Sequence, residues 1–96
     1  MLSLNEIRSI AIPIAKSYGL TELYLFGSYA KGTAQEESDL DFRFDKPKGM
    51  SLFKIGGLQY QLSEAFGIPV DLVTTGQLSD EFKDEIGQYE VLLYGK

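Results

Sequence analysis

The chain has no cysteine and no histidine, and each absence removes a class of chemistry. Without cysteine there is no disulfide framework, no thiol nucleophile and no cysteine-ligated metal. Without histidine the commonest general base and the usual zinc ligand are gone, so acid–base or metal work falls mainly to carboxylates. No apolar run approaches the roughly 20 residues that a membrane span needs. The start of the chain lacks a basic-then-apolar signal pattern, so the cytoplasm is the expected compartment. Positive charge is also scarce: 9 Lys and Arg stand against 14 Asp and Glu, a net charge of -5. Binding to duplex nucleic acid is dominated by phosphate neutralisation, and this balance argues against such a surface.

What remains suits one domain over residues 1–96, with no linker, repeat or low-complexity segment. With 44% apolar and 12% aromatic residues, a core can form without metals or disulfides. The length is nevertheless small for an enzyme that holds two substrates. Ser3 and Glu6 form a capping box, opening a helix whose apolar stripe is Leu4, Ile7, Ala11, Ile14, Ala15 and Tyr18. Gly19 is placed to end it, and Pro13 predicts a kink or a local break. Residues 22–26 read as a strand, residues 39–45 as a second, and Ser51 to Phe66 as a helix containing a costly Gly56-Gly57 pair. Val70 to Val73 predict a third strand, residues 80–87 a helix capped by Ser79, and residues 90–94 a last strand. With a short helix after the first strand, the order α-β-α-β-α-β-α-β predicts an α/β fold, a mixed sheet of about four strands packed against helices.

The chemistry concentrates in residues 27–41, GSYAKGTAQEESDLD. A loop opening on Gly27-Ser28 can bring backbone N–H groups close to a polyphosphate, because Gly27 has no side chain to hold the ligand away. Asp39 and Asp41 are two apart, so on a strand both carboxylates leave the same face and can share a divalent cation. Along residues 39–45, Leu40, Phe42 and Phe44 alternate with Asp39, Asp41, Arg43 and Asp45. A half-solvated strand explains that alternation, but three aspartates on one short strand oppose strand propensity and mark a functional site. Asp71 supplies a further carboxylate between apolar neighbours on the third strand. A satisfied surface carboxylate is the alternative for Asp71.

The pattern Gly27-Ser28, then Asp39-x-Asp41, then Asp71 within Pro-Val-Asp-Leu-Val, resembles the DNA polymerase beta-like nucleotidyltransferase superfamily. Length and the second half of the chain resemble its minimal nucleotidyltransferases. The resemblance implies that Asp39, Asp41 and Asp71 hold Mg²⁺, two ions in all, and that Asp71 helps to deprotonate an attacking hydroxyl. It implies that Gly27, Ser28 and Lys31 bind the phosphates of ATP, and that pyrophosphate leaves as a nucleoside monophosphate is transferred. It further implies a helical HEPN-type toxin as partner, an AMP acceptor in which the modified group is a tyrosine hydroxyl, with this chain as antitoxin. A nucleotide-binding module that neutralises its partner by occlusion is the rival expectation. The family often has arginine at the positions of Tyr29 and Lys31. Arg43 could compensate by touching ligand, or could neutralise Asp45 or Asp41 in a surface pair.

Overall fold

The computed structural model describes residues 1–95. The first helix, α1 (Leu4–Ser17), opens on the expected capping box. The Glu6 N–H donates to the Ser3 hydroxyl at 3.1 Å, and the Ser3 N–H donates to the Glu6 carboxylate at 3.0 Å. Contrary to the predicted break, α1 runs uninterrupted through Pro13. Pro13 is on the exposed side, so the carbonyl it leaves without a helical partner can turn to water. Burial of Ile7, Ala11, Ile14 and Ala15 fastens the helix on both sides of it.

Four strands follow, β1 (Leu23–Phe26), β2 (Leu40–Phe44), β3 (Val70–Thr74) and β4 (Val91–Tyr94), interleaved with α2 (Gly27–Lys31), α3 (Leu52–Phe66) and α4 (Asp80–Gly87). Ser51 and Ser79 cap α3 and α4 by accepting from the N–H of Lys54 and Phe82. A short 3₁₀ turn over Thr75–Gln77, not foreseen from the sequence, links β3 to α4. The sheet order is β3-β2-β1-β4, with β2 and β3 parallel and the other pairs antiparallel. The sheet is therefore mixed, four strands wide, as the sequence predicts. Parallel neighbours need a crossover, and α3 provides it.

The two faces of the sheet differ. Leu23, Leu25, Leu40, Phe42 and Phe44 enter the main core with α1 and α3, and Phe42 meets the α3 residue Phe66 at 5.8 Å between ring centroids. The opposite face carries Phe26, Asp41 and Arg43, because Phe26 pairs with Asp41 and Tyr24 with Arg43 across β1 and β2. Here α4 packs: Phe82 sits edge-on to Phe26 at 6.0 Å. The Gly56-Gly57 pair does not interrupt α3. A Cβ on Gly57 would lie 3.1 Å from the Tyr18 hydroxyl, so close packing accounts for that glycine, whereas Gly56 faces open space.

Candidate active site

Asp41 and Asp71 are register partners on the parallel strands β2 and β3, so their carboxylates project side by side from the face that α4 shares. Both oppose the main core. Asp41 is half-buried, and its carboxyl is pushed up to about 6, first by burial, then by the charge of Asp71 and a hydrogen bond with it, and last by the charge of Asp39. Asp39 itself falls one residue before β2 and is exposed. The expectation of Asp39 and Asp41 on one strand is therefore corrected: Leu40 opens β2, its N–H donating to the Pro69 carbonyl at 3.1 Å. Among the described residues no three carboxylates gather at metal-holding distance. Two carboxylates held together, one of them ionising only with difficulty, are nonetheless a donor set that a hard divalent cation takes.

Gly27 has a packing role that the sequence did not reveal. Its φ of 72° lies in the left-handed region, and a Cβ there would overlap the Asp41 Oδ2 and stand 2.9 Å from its Cγ. The Asp41 carboxylate thus rests against the backbone where β1 turns into α2. Ser28 follows in the first turn of α2, which has no side-chain cap. Gly27 therefore adjoins Asp41, and Ser28 is the next residue along the chain. Tyr29 turns into the main core rather than toward the carboxylates. Lys31 is exposed and lies over the Tyr89 ring, its Nζ 4.6 Å from the ring centroid.

Arg43 takes neither role expected of it as a principal one. Its guanidinium donates twice to the Glu90 carboxylate, at 3.1 and 2.7 Å, and once to the Thr75 hydroxyl at 2.9 Å, while stacking 3.9 Å from the centroid of Tyr24. Asp45 is a secondary partner at 3.9 Å. Thr75 in turn donates to the Asp45 carboxylate. This cluster ties β1, β2, the turn after β3 and the residue before β4. Glu90 was not singled out from the sequence, since 47 positions separate it from Arg43 and no local pattern joins them. With side chains only 12% and 15% exposed, the pair is costly to break from one side. Arg43→Met should destabilise the fold by about 2–4 kcal/mol, and adding Glu90→Met should restore much of that loss. Urea unfolding of the two single variants and the double variant measures it; additive losses would show that the pair does not act as a unit.

The nucleotidyltransferase domain family matches residues 7–94, almost the whole chain. The chain belongs to that family. Among curated relatives, the protein adenylyltransferase MntA of Thermococcus cleftensis is 39% identical over 82 residues, covering 81% of this chain and 83% of its own length. A Methanocaldococcus jannaschii protein, provisionally named a protein adenylyltransferase, is 35% identical over 85 residues, covering 88% and 91% of the two chains. A solved structure provisionally described as a minimal nucleotidyltransferase superposes with a TM-score of 0.81 at 25% identity, covering 94% of this chain and 95% of that one. A toxin–antitoxin crystal structure with AMP-PNP gives 0.79 at 25% identity, covering 93% and 73%. The fold of this nucleotidyltransferase domain, including its mixed sheet, is that of these neighbours. No helix among its described residues is long and apolar enough to cross a membrane.

Proposed function

We propose that this nucleotidyltransferase transfers AMP from ATP to a hydroxyl of a helical HEPN-type partner, a tyrosine side chain being the acceptor, and thereby acts as the antitoxin of the pair in the cytoplasm. The Asp41–Asp71 pair, seated against Gly27 at the head of α2, carries this reading. The name of the Thermococcus relative and the AMP-PNP complex of the toxin–antitoxin neighbour support it.

Asp41 and Asp71 would hold Mg²⁺, with Asp39 joining from the residue before β2. The cation, when bound, offsets the charge that grows on the phosphoryl oxygens during transfer. The residues of the chain supply the rest. The Gly27-Ser28 backbone and the Ser28 hydroxyl orient the β- and γ-phosphates, and Lys31 leaves the Tyr89 ring to add a point charge. Asp71, the more exposed carboxylate, accepts the proton of the attacking hydroxyl. The acceptor oxygen bonds to the α-phosphorus as the bond to the bridging oxygen of the β-phosphate breaks, and pyrophosphate leaves. No covalent enzyme intermediate forms.

The occlusion reading draws on the core-packed Tyr29, which leaves phosphate binding without the family's frequent arginine there. One experiment separates the two readings. The chain is incubated with ATP and Mg²⁺, alone and with the product of its neighbouring gene as partner, and the partner is weighed by mass spectrometry. AMP should appear on the partner alone, and only when both proteins are present. An unmodified partner that is still fully inhibited by the Asp39→Asn, Asp41→Asn, Asp71→Asn triple variant would leave the occluding module standing.

A further inference from the structure

Gly56 is a glycine that nothing inside the chain explains. It lies within α3, where glycine is the poorest helix former after proline, yet a Cβ there would meet nothing within 4 Å. Gly56 and Gly57 floor a shallow apolar groove, open to solvent, that Leu52 and Phe53 flank. Leu52 is 84% exposed, Phe53 94% and Tyr60 67%. Phe53, Gly56-Gly57 and Tyr60 recur at helical spacing along one stripe, turned away from the buried Leu58, Leu62 and Phe66. A projecting aromatic beside an apolar groove marks a contact surface.

The geometry points to α3 as the interface of a two-fold homodimer, in which two copies of the helix cross antiparallel at Gly56-Gly57. Each Phe53 ring then enters the groove above the other copy's glycines and meets the other copy's Tyr60. The stripe is self-complementary in the way such symmetry demands. Phe53 precedes the crossing by three to four residues and Tyr60 follows it by the same interval, so an antiparallel pair sets each against the other. The missing side chain at Gly56 becomes the space that the ring fills.

Charge favours a second copy in this orientation. The chain has no Asp or Glu between Lys46 and Ser63, although its net charge is -5. Lys48 and Lys54 flank the start of α3, and Glu64 stands near its end. Antiparallel pairing brings the basic end of each helix to the acidic end of the other, and opposes the helix dipoles. The exposed face of α4 could not serve, since Asp80, Glu81, Asp84 and Glu85 would face their own copies. Because α3 covers the sheet face opposite Asp41, the dimer leaves the carboxylates open. One short helix buries less than the roughly 800 Å² per partner of a standard interface, so the dimer is weak, with a Kd of ~10–100 µM.

Sedimentation equilibrium of the whole chain from about 1 to 500 µM tests this. The expected result is a reversible monomer–dimer equilibrium. Phe53→Asp should weaken it at least tenfold. Gly56→Gln should abolish it while raising the melting temperature by a few degrees, because the new side chain fills the groove and favours the helix. A chain that stays monomeric throughout would overturn the proposal, as would a dimer that both variants retain. Should the chain stay monomeric while Phe53→Asp loses binding to a helical partner protein, the face belongs to that partner and the homodimer is refuted. AMP transfer does not enter the test, so its outcome is independent of the catalytic reading.

Discussion

Asp41→Asn should abolish nucleotide transfer, by a thousandfold or more, while making the metal-free protein more stable at neutral pH. The two effects share one cause. Burial and the neighbouring Asp71 push the Asp41 carboxyl up to about 6, above the ordinary aspartate value of 3.8. Between these values the folded state holds a proton that the unfolded chain has released. Metal-free stability therefore falls as pH rises from about 4 to about 6, and the ionised pair is strained above that window. Asparagine removes the charge and with it this slope. Half-buried as the site is, the gain at pH 7.5 should be about 1 kcal/mol after allowance for solvent screening. Mg²⁺ should stabilise the parent protein and leave the variant unmoved. Thermal melts from pH 4 to 8, with EDTA and with Mg²⁺, measure all of this. A variant that is destabilised at pH 7.5 and still responds to Mg²⁺ would remove Asp41 from the metal site.

Gly27→Ala should cost both nucleotide binding and stability. The methyl group would overlap the Asp41 carboxylate, and an L-residue is strained at a φ of 72°. A loss of about 2–4 kcal/mol is expected, together with at least a hundredfold weaker ATP binding by the protein that remains folded. Pairing the change with Asp41→Gly separates its parts. The double variant should recover the stability lost to collision and retain the smaller penalty of the backbone conformation, about 1 kcal/mol. It should not regain binding. Full recovery of ATP affinity in the double variant would remove both Gly27 and Asp41 from nucleotide binding. Calorimetric titration and urea unfolding of the three proteins provide the comparison.

Local features of this chain were legible because local rules produce them. The capping box of Ser3 and Glu6, the cap at Ser79, and the alternation of Leu40, Phe42 and Phe44 each follow from residues a few positions apart. The nearness of Gly27 to Asp41 and the pairing of Asp41 with Asp71 were expected from their combined pattern and its resemblance to a family, since each residue alone also fits a turn or a solvated carboxylate. Features set by distant pairing were hidden. Asp39 falls outside β2 because the hydrogen bond from Leu40 to Pro69 helps to set where the strand begins. Arg43 is committed to Glu90, and only the return of the chain before β4 brings that carboxylate near. Tyr29 and Lys31 flank one residue in a five-residue helix, yet one packs inward and the other lies on an exposed face. Sequence spacing alone could not separate them.

The parallel pairing of β2 and β3 also orders events in time. Asp41 can meet Asp71 only after α3 has crossed the sheet and β3 has docked against β2, so the site closes through one of the longer loops in the chain. The antiparallel β1–β2 pair needs a shorter loop, and a species with that hairpin formed and β3 undocked would hold Gly27 beside Asp41 without its second carboxylate. Such a species would have half of the proposed metal site. On the proposed mechanism, catalytic competence is confined to the fully assembled sheet, and a chain lacking β3 should transfer no AMP.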